Sequence, residues 1–280
     1  MTDSRSNFDM VQVYKEMIER SKNNPSSEDQ RNLNEIVHKN RVHYRVLDPK
    51  RFLCGLDYYE KPERYFADTA AGCTDCVVIH NNWIVSRPAK VYRFKEMLQW
   101  VVDLNQYYSS TSERYLTYSN TDNKADGKLE ETALINALAI SQILNRTLIM
   151  PRFHCDKDHK VCPFNSKYYI RHFDQYFPRY RESLFLSNPK VPKSVVENQS
   201  PLITINSLCL NRHNCYVPSD ISRGVQEEEI REWFGNMRSV SVLRFVNMKT
   251  AFSGFSNKLD QERFDGLIRA GLIKAKYRQF

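Results

Sequence analysis

Gly127-Lys-Leu-Glu-Glu-Thr-Ala-Leu-Ile-Asn-Ala-Leu-Ala-Ile-Ser-Gln-Ile-Leu-Asn-Arg-Thr-Leu-Ile-Met-Pro151 decides the fold class. Leu129, Ala133, Leu134, Ala137, Leu138, Ile140, Ser141 and Leu144 recur near helical spacing, which predicts a helix over 128–144. Thr147-Leu-Ile-Met150, closed by Pro151, reads as the strand that follows. Tyr115-Leu-Thr-Tyr118 reads as the strand before it. A strand–helix–strand crossover requires a parallel pair, so the fold class is α/β with a parallel sheet. Further strands are expected at 201–206 and 240–246, and further helices at 225–236 and 260–274.

Working toward the N-terminus, 105–113 (Asn-Gln-Tyr-Tyr-Ser-Ser-Thr-Ser-Glu) has the composition of a boundary. The expected organisation is a first domain over 1–105, a linker over 106–113 and a second α/β domain over 114–280. Residues 8–21 carry Met10, Val11, Val13, Tyr14, Met17 and Ile18 on one broad helical face. Asn24-Pro25-Ser26-Ser27 stops that helix, and Ser27 opens another with Asp29 and Gln30 in its first turn. Residues 41–48 alternate apolar and polar like a half-buried strand. The apolar run 75–80 reads as a buried strand that delivers His80 to its C-terminal end. Pro88 fits the first turn of a helix running to about Asp103.

The chain has 280 residues, 41% hydrophobic and 26% charged, a globular composition. No apolar run approaches a transmembrane helix, and Met1–Phe8 lacks the apolar core of a signal peptide. Gly-rich phosphate loops are absent, with 8 glycines in all. The formal charge of +8 suits anionic partners. The basic residues are scattered, so nucleic acid is not an expected partner. Among seven cysteines, Cys155/Cys162 and Cys209/Cys215 each flank a short loop that a disulfide could close. Cys73-Thr-Asp-Cys76 has C-x-x-C spacing without a second such pair, which argues against zinc. Two sequons occur, Asn145-Arg-Thr147 and Asn198-Gln-Ser200; the first falls in a segment that reads as buried.

Three features in order carry a resemblance: Asp29-Gln30-x-x-x-Asn34, then a strand ending in His80-Asn81-Asn82-Trp83, then a helix bearing Arg87 and Lys90. Over roughly residues 8–105 this resembles the nucleotide-diphospho-sugar transferase family, which includes plant arabinosyl- and xylosyltransferases. The part resembled is the C-terminal portion of that GT-A-like domain. The resemblance implies a nucleotide-sugar donor, a glycan or glycoprotein acceptor, and a Golgi-lumenal setting. It implies His80 as ligand to Mn or Mg, and Lys90, or Arg87 in its place, on the donor diphosphate. Asp29 and Gln30 would be catalytic, with Asn34, Asn81, Asn82 and Trp83 binding substrate. Ser86 stands where many relatives carry glycine. The carboxylate pair that completes the family's metal shell would lie upstream, and nothing before Asp29 supplies it. Asp122–Asp126 and Asp156-Lys157-Asp158 have the wrong unit or context. The chain therefore reads as the later part of a transferase, with a non-catalytic glycan- or partner-binding module as the alternative.

Gly127–Pro151 also resembles the opening unit of O-fucosyltransferase-like domains, which offers a second alternative, an enzyme built on 114–280 that depends on Arg146. Glu130 and Glu131 would repel a donor diphosphate there unless a metal intervened.

Overall fold

The computed structural model describes residues 10–40, 42, 44–60, 73, 75–84, 86–119, 127–154, 161–205, 208–209, 215–216, 225–246 and 248–275. In chain order the elements are α1 (Met10–Asn23), α2 (Asp29–Lys39), β1 (Phe52–Cys54), β2 (Val78–His80), α3 (Arg87–Glu96), β3 (Tyr115–Ser119), α4 (Gly127–Ile143), β4 (Thr147–Ile149), β5 (Phe153–His154) and β6 (Val161–Cys162). There follow α5 (Ile170–Tyr176), β7 (Tyr180–Arg181), α6 (Lys193–Val196), β8 (Gln199–Thr204), β9 (Leu208–Cys209), β10 (Cys215–Tyr216), β11 (Val225–Gln226), α7 (Glu227–Gly235), β12 (Val242–Val246), β13 (Phe252–Gly254) and α8 (Lys258–Gly271). By packing the chain forms two units. The first comprises the described residues up to Leu53 and those within Cys73–Val78; the second comprises the remainder.

In the first unit α1 packs on α2. Val13 and Ile36 are its fully buried apolar side chains on these helices. Glu16 ties the pair together, accepting from Arg20 at 2.9 Å and from Asn40 at 3.2 Å, while Arg20 also reaches Glu35 at 3.0 Å. The broad face expected on α1 is mostly uncovered: Met10, Val11, Tyr14 and Ile18 are each more than half exposed. A two-helix contact covers only a narrow stripe, and Val13 occupies it. Ser27 does not cap α2. Glu28 is the extended residue before the helix, and Ser27 Oγ accepts instead from the buried Asn32 at 2.7 Å.

Three sequence expectations here are corrected. Residues 44–48 form no strand, and Tyr44, Val46 and Leu47 are exposed. Alternation sets a face, but a strand also needs a partner for its backbone groups. The run 75–80 is not a buried strand: only 78–80 is extended in a strand, and Val77 and Val78 are about half exposed. An apolar run is buried only where layers cover both faces. Helix α3 stops at Glu96 rather than Asp103, because Leu98 turns to positive φ and the amide of Gln99 bonds back to Phe94 O.

The second unit is organised by a five-stranded sheet, order β7-β4-β3-β12-β8, with every pair parallel. The expected crossover β3–α4–β4 is therefore present. Side chains alternate between two cores as the pleat requires. Leu116, Tyr118, Leu148, Leu243 and Phe245 enter one core with α4; Tyr115, Ile149 and Val242 enter the other with Tyr108 and Phe185. Small residues Ala133, Ala137 and Ala139 are fully buried, so α4 lies close against the sheet. Its Asn136 donates to Met248 O at 2.8 Å and Lys249 O at 3.2 Å, fixing the turn after β12.

The turn that follows α4 places Asn145 in the left-handed region (φ 53°), and the Arg146 amide bonds to Ser141 O at 2.8 Å. Asn145 is exposed, contrary to expectation, but its amide accepts from Arg179. Within residues 106–113, Tyr108 is fully buried in the second unit and stacks on Phe185.

Cys73 and Cys76 form a disulfide, a pair that spacing alone did not mark as structural. Cys162 is disulfide-bonded, and Cys155 lies outside the described residues. Cys209 and Cys215 stand opposite each other in the antiparallel β9–β10 ladder. Asp122–Asp126 and Asp156–Asp158 lie outside the described residues.

Candidate functional site

The sequence-derived residues fall in both units. Asp29, Gln30 and Asn34 belong to the first unit, and His80 to Lys90 to the second. On α2 the i,i+4 spacing brings Gln30 and Asn34 together, with Gln30 Nε2 donating to Asn34 Oδ1 at 3.4 Å. Asp29 opens the helix, where a carboxylate favours the dipole, and all three are exposed. A shallow groove runs between α1 and α2, lined by Tyr14, Met17, Ile18, Ser21, Lys22 and Asp29.

His80 is exposed, and the turn after it is a structural clamp on α3. Asn81 is buried; its Nδ2 donates to Lys90 O at 2.9 Å and its Oδ1 accepts from Arg93 at 3.3 Å. Asn82 O accepts from the same guanidinium at 3.0 Å, and Asn82 Oδ1 accepts from the Gly55 amide at 2.6 Å. Gly55 is required by that approach, because a Cβ there would stand 2.2 Å from Asn82 O. Arg93 is buried, with its guanidinium 4.7 Å from the centre of the Tyr59 ring. Trp83 carries φ 58° and is nearly half exposed. Ser86 caps α3, its Oγ accepting from the Ala89 amide at 3.4 Å, and holds φ 84°. That conformation is one that glycine adopts freely.

Among the described residues no group of three His, Cys, Asp or Glu side chains could hold a metal ion. His80 therefore belongs to no such group, and the described residues by themselves do not complete a divalent site.

Arg87 and Lys90, alternatives by sequence, are separated by the fold. Both are exposed on the first turn of α3, but Arg87 lines a pocket that Lys90 does not. This pocket, of about 240 Å³, is built by α3, Tyr107 and the α5–β7 connection. Arg87, Tyr92, Lys95, Tyr107, Asp174 and Tyr180 supply its polar groups. Each tyrosine hydroxyl is committed to a carboxylate: Tyr92 to Glu96 at 2.6 Å, Tyr107 to Glu182 at 2.7 Å, Tyr180 to Asp174 at 3.1 Å. Lys95 Nζ sits 3.2 Å from the centre of the Tyr107 ring, and Arg181 lies 4.1 Å from the same centre. Burial pulls the Lys95 ammonium down to about 8; Glu182 and Asp174 oppose that shift and Arg181 adds to it. Burial likewise pushes the Glu96 carboxyl up, against bonds from Ser183 and Tyr92 that favour its charge. Lys95, Tyr107, Asp174 and Tyr180 are distant in sequence and carry no shared motif, so sequence reasoning missed them.

The sheet's own ligand edge is at the C-terminal ends of β3 and β12, the point where strand order reverses. Glu130 and Glu131 on α4 follow β3 there. Neither is a bare carboxylate. Glu130 accepts from the His154 amide at 2.9 Å, contacts His154 Nδ1 at 2.7 Å and pairs with Lys167. Burial raises its carboxyl, but the Lys167 and His154 bonds outweigh that and hold it low. Glu131 pairs with Lys274 at 2.5 Å. Arg146 lies at the opposite edge. It is buried and donates to Tyr115 O, Val240 O, Ser241 O and Met237 O at the N-terminal ends of β3 and β12. That placement makes it a structural tie between the strand ends.

The model of the family described as nucleotide-diphospho-sugar transferase matches residues 3–94. An arabinosyltransferase of Arabidopsis thaliana, XEG113, is 27% identical over 163 residues, covering 46% of this chain and 25% of its own. The chain thus spans about a quarter of that curated relative. A solved structure titled POFUT1 in complex with GDP overlaps 60% of this chain and 52% of its own, at a TM-score of 0.39 and 14% identity. The α2 constellation, His80 and most of α3 fall within the segment, residues 3–94, that the nucleotide-diphospho-sugar transferase model matches.

Proposed function

We propose that this chain is part of a glycosyltransferase that moves a sugar from a nucleotide-diphosphate donor to a hydroxyl acceptor. The family match over residues 3–94 carries the reading. In it, Lys90 on the first turn of α3 meets the donor diphosphate by charge, where the helix dipole also favours an anion. Asp29, Gln30 and Asn34 exchange water and their mutual bond for hydrogen bonds to sugar hydroxyls. Asn81 and Asn82 act indirectly, by fixing α3 through Arg93. Trp83 is nearly half exposed and in this reading packs against an acceptor sugar. His80 and a divalent ion remain part of the reading only with ligands other than the described residues, so no step is assigned to a metal. The Golgi lumen is the proposed compartment, in keeping with the bonded Cys73–Cys76 pair. Among the described residues no helix is long and apolar enough to cross a membrane.

A non-catalytic glycan-binding module is the second reading, favoured by the absence of a metal shell among the described residues. Calorimetric titration with nucleotide diphosphates and nucleotide-sugars, with and without Mn²⁺, separates the two. Donor binding weakened by Lys90→Ala supports the transferase. Glycan binding without donor or metal supports the module.

A further inference from the structure

The pocket between α3, Tyr107 and the α5–β7 connection holds a cation with no acceptor among the described residues. Lys95 Nζ has three donors, yet among the described residues it makes no hydrogen bond or ion pair, only its contact with the Tyr107 ring. A largely buried ammonium in that state awaits an anionic oxygen. Arg87, at the rim, adds a planar fork suited to a carboxylate.

Three further features narrow the ligand. The volume of about 240 Å³ falls below the roughly 300 Å³ where pockets for drug-sized molecules begin, so the space matches one sugar ring rather than a whole nucleotide-sugar. The hydroxyls of Tyr92, Tyr107 and Tyr180 are taken by Glu96, Glu182 and Asp174, which leaves Lys95 and Arg87 as the lining donors for a ligand. Tyr92 and Tyr180 are buried and the Tyr107 ring already carries Lys95 and Arg181, so a ligand meets ring edges and the two lining cations. Asp174 is the carboxylate among the lining residues, and Glu182 and Arg181 next to them offset each other, so the lining itself presents two cations and one carboxylate. That balance suits a monoanion with hydroxyls for Asp174 to accept from, and disfavours a diphosphate.

We propose that this pocket binds one acidic sugar, a hexuronate residue of the acceptor glycan, with its carboxylate on Lys95 and Arg87 and a hydroxyl on Asp174. The role as acceptor subsite rests on the transferase reading above; the binding itself does not. The pocket also joins the matched segment, which ends at residue 94, to residues beyond it. Acceptor choice is thereby built from both parts of the chain.

The test is a calorimetric or saturation-transfer titration of the full chain with the methyl glycosides of glucuronate and galacturonate, and with those of glucose and galactose. Inorganic phosphate and UDP serve as competitors. One uronate is expected to bind roughly tenfold or more tightly than its neutral counterpart, the worth of one charge-assisted bond. Lys95→Met and Arg87→Gln are each expected to weaken it about tenfold. Arg87 is on the surface, so the second variant stays informative if the first alters packing. Equal binding of neutral sugars, no uronate binding by the folded chain, unchanged affinity in both variants, or displacement by phosphate or UDP would each overturn the proposal. No donor or transfer step enters this titration, so failure of the transferase reading leaves its result unaffected, and a negative result leaves donor binding at Lys90 as it was.

Discussion

Replacing Lys95 by methionine is expected to stabilise the protein, and by an amount that depends on pH. Burial lowers this ammonium to about 8 from an ordinary value of 10.5. A shift of that size corresponds to about 3 kcal/mol of unfavourable burial at neutral pH, where folded and unfolded chains both hold the proton. The contact with the Tyr107 ring offsets about 1 kcal/mol of it. Methionine keeps the apolar stem and drops the charge, so a gain of about 2 kcal/mol is expected at pH 7. The sign with pH follows from linkage. The folded-state value is depressed, so between about 8 and 10 the unfolded chain binds more protons and wild-type stability rises with pH. The groups facing Lys95 are Glu182, Asp174, Arg181 and Tyr107, and the titration is confined below the range where buried tyrosines ionise. Urea unfolding of both proteins at pH 7.0, 8.0, 9.0 and 9.5 reads the effect. The advantage of the variant is expected to shrink by about 2 kcal/mol across that series. A variant less stable than wild type at pH 7, or a difference that does not vary with pH, would refute the burial cost assigned to Lys95.

Gly55→Ala drives a Cβ into the backbone of Asn82 and is expected to cost about 3 kcal/mol, whereas Gly127→Ala meets nothing within 4 Å and should be neutral or mildly stabilising; paired thermal melts compare them. Ser86→Gly relieves φ 84° while giving up a long capping bond, and a gain of about 0.5–1 kcal/mol is expected in the same assay. Arg146→Met removes the donor from carbonyls of Tyr115, Met237, Val240 and Ser241, with an expected loss of about 3 kcal/mol read by urea unfolding. Full stability in that variant would return Arg146 to consideration as a functional residue.

The parallel sheet was legible because its central elements announce themselves locally. The α4 pattern has helical period, Thr147–Met150 is a short apolar run closed by proline, and Val242–Val246 repeats that signal. The same kind of run misled at 75–80. Nothing in Val77-Val78-Ile79 says whether a second layer will cover it, and the structure leaves both valines about half exposed. The alternation at 44–48 misled for the same reason, since a pairing partner is supplied by the fold and not by the segment. The α2 constellation was legible because an i,i+4 spacing is a contact in itself, as the Gln30–Asn34 bond shows. The roles of Asn81 and Asn82 were not, because their partner Arg93 lies a full helix later and gives no motif. The setting of Lys95 is the least legible of all: it is assembled from residues 87–95, 107 and 174–180. Only tertiary structure brings those groups around one ammonium.

The most direct test of the transferase reading is calorimetry of the folded chain with UDP, GDP and their sugar conjugates, run beside Lys90→Ala and His80→Ala. The account predicts binding of a nucleotide diphosphate or its sugar conjugate that weakens about tenfold when Lys90 loses its charge. Absence of any nucleotide binding by a chain that unfolds cooperatively, or binding indifferent to Lys90, would contradict it.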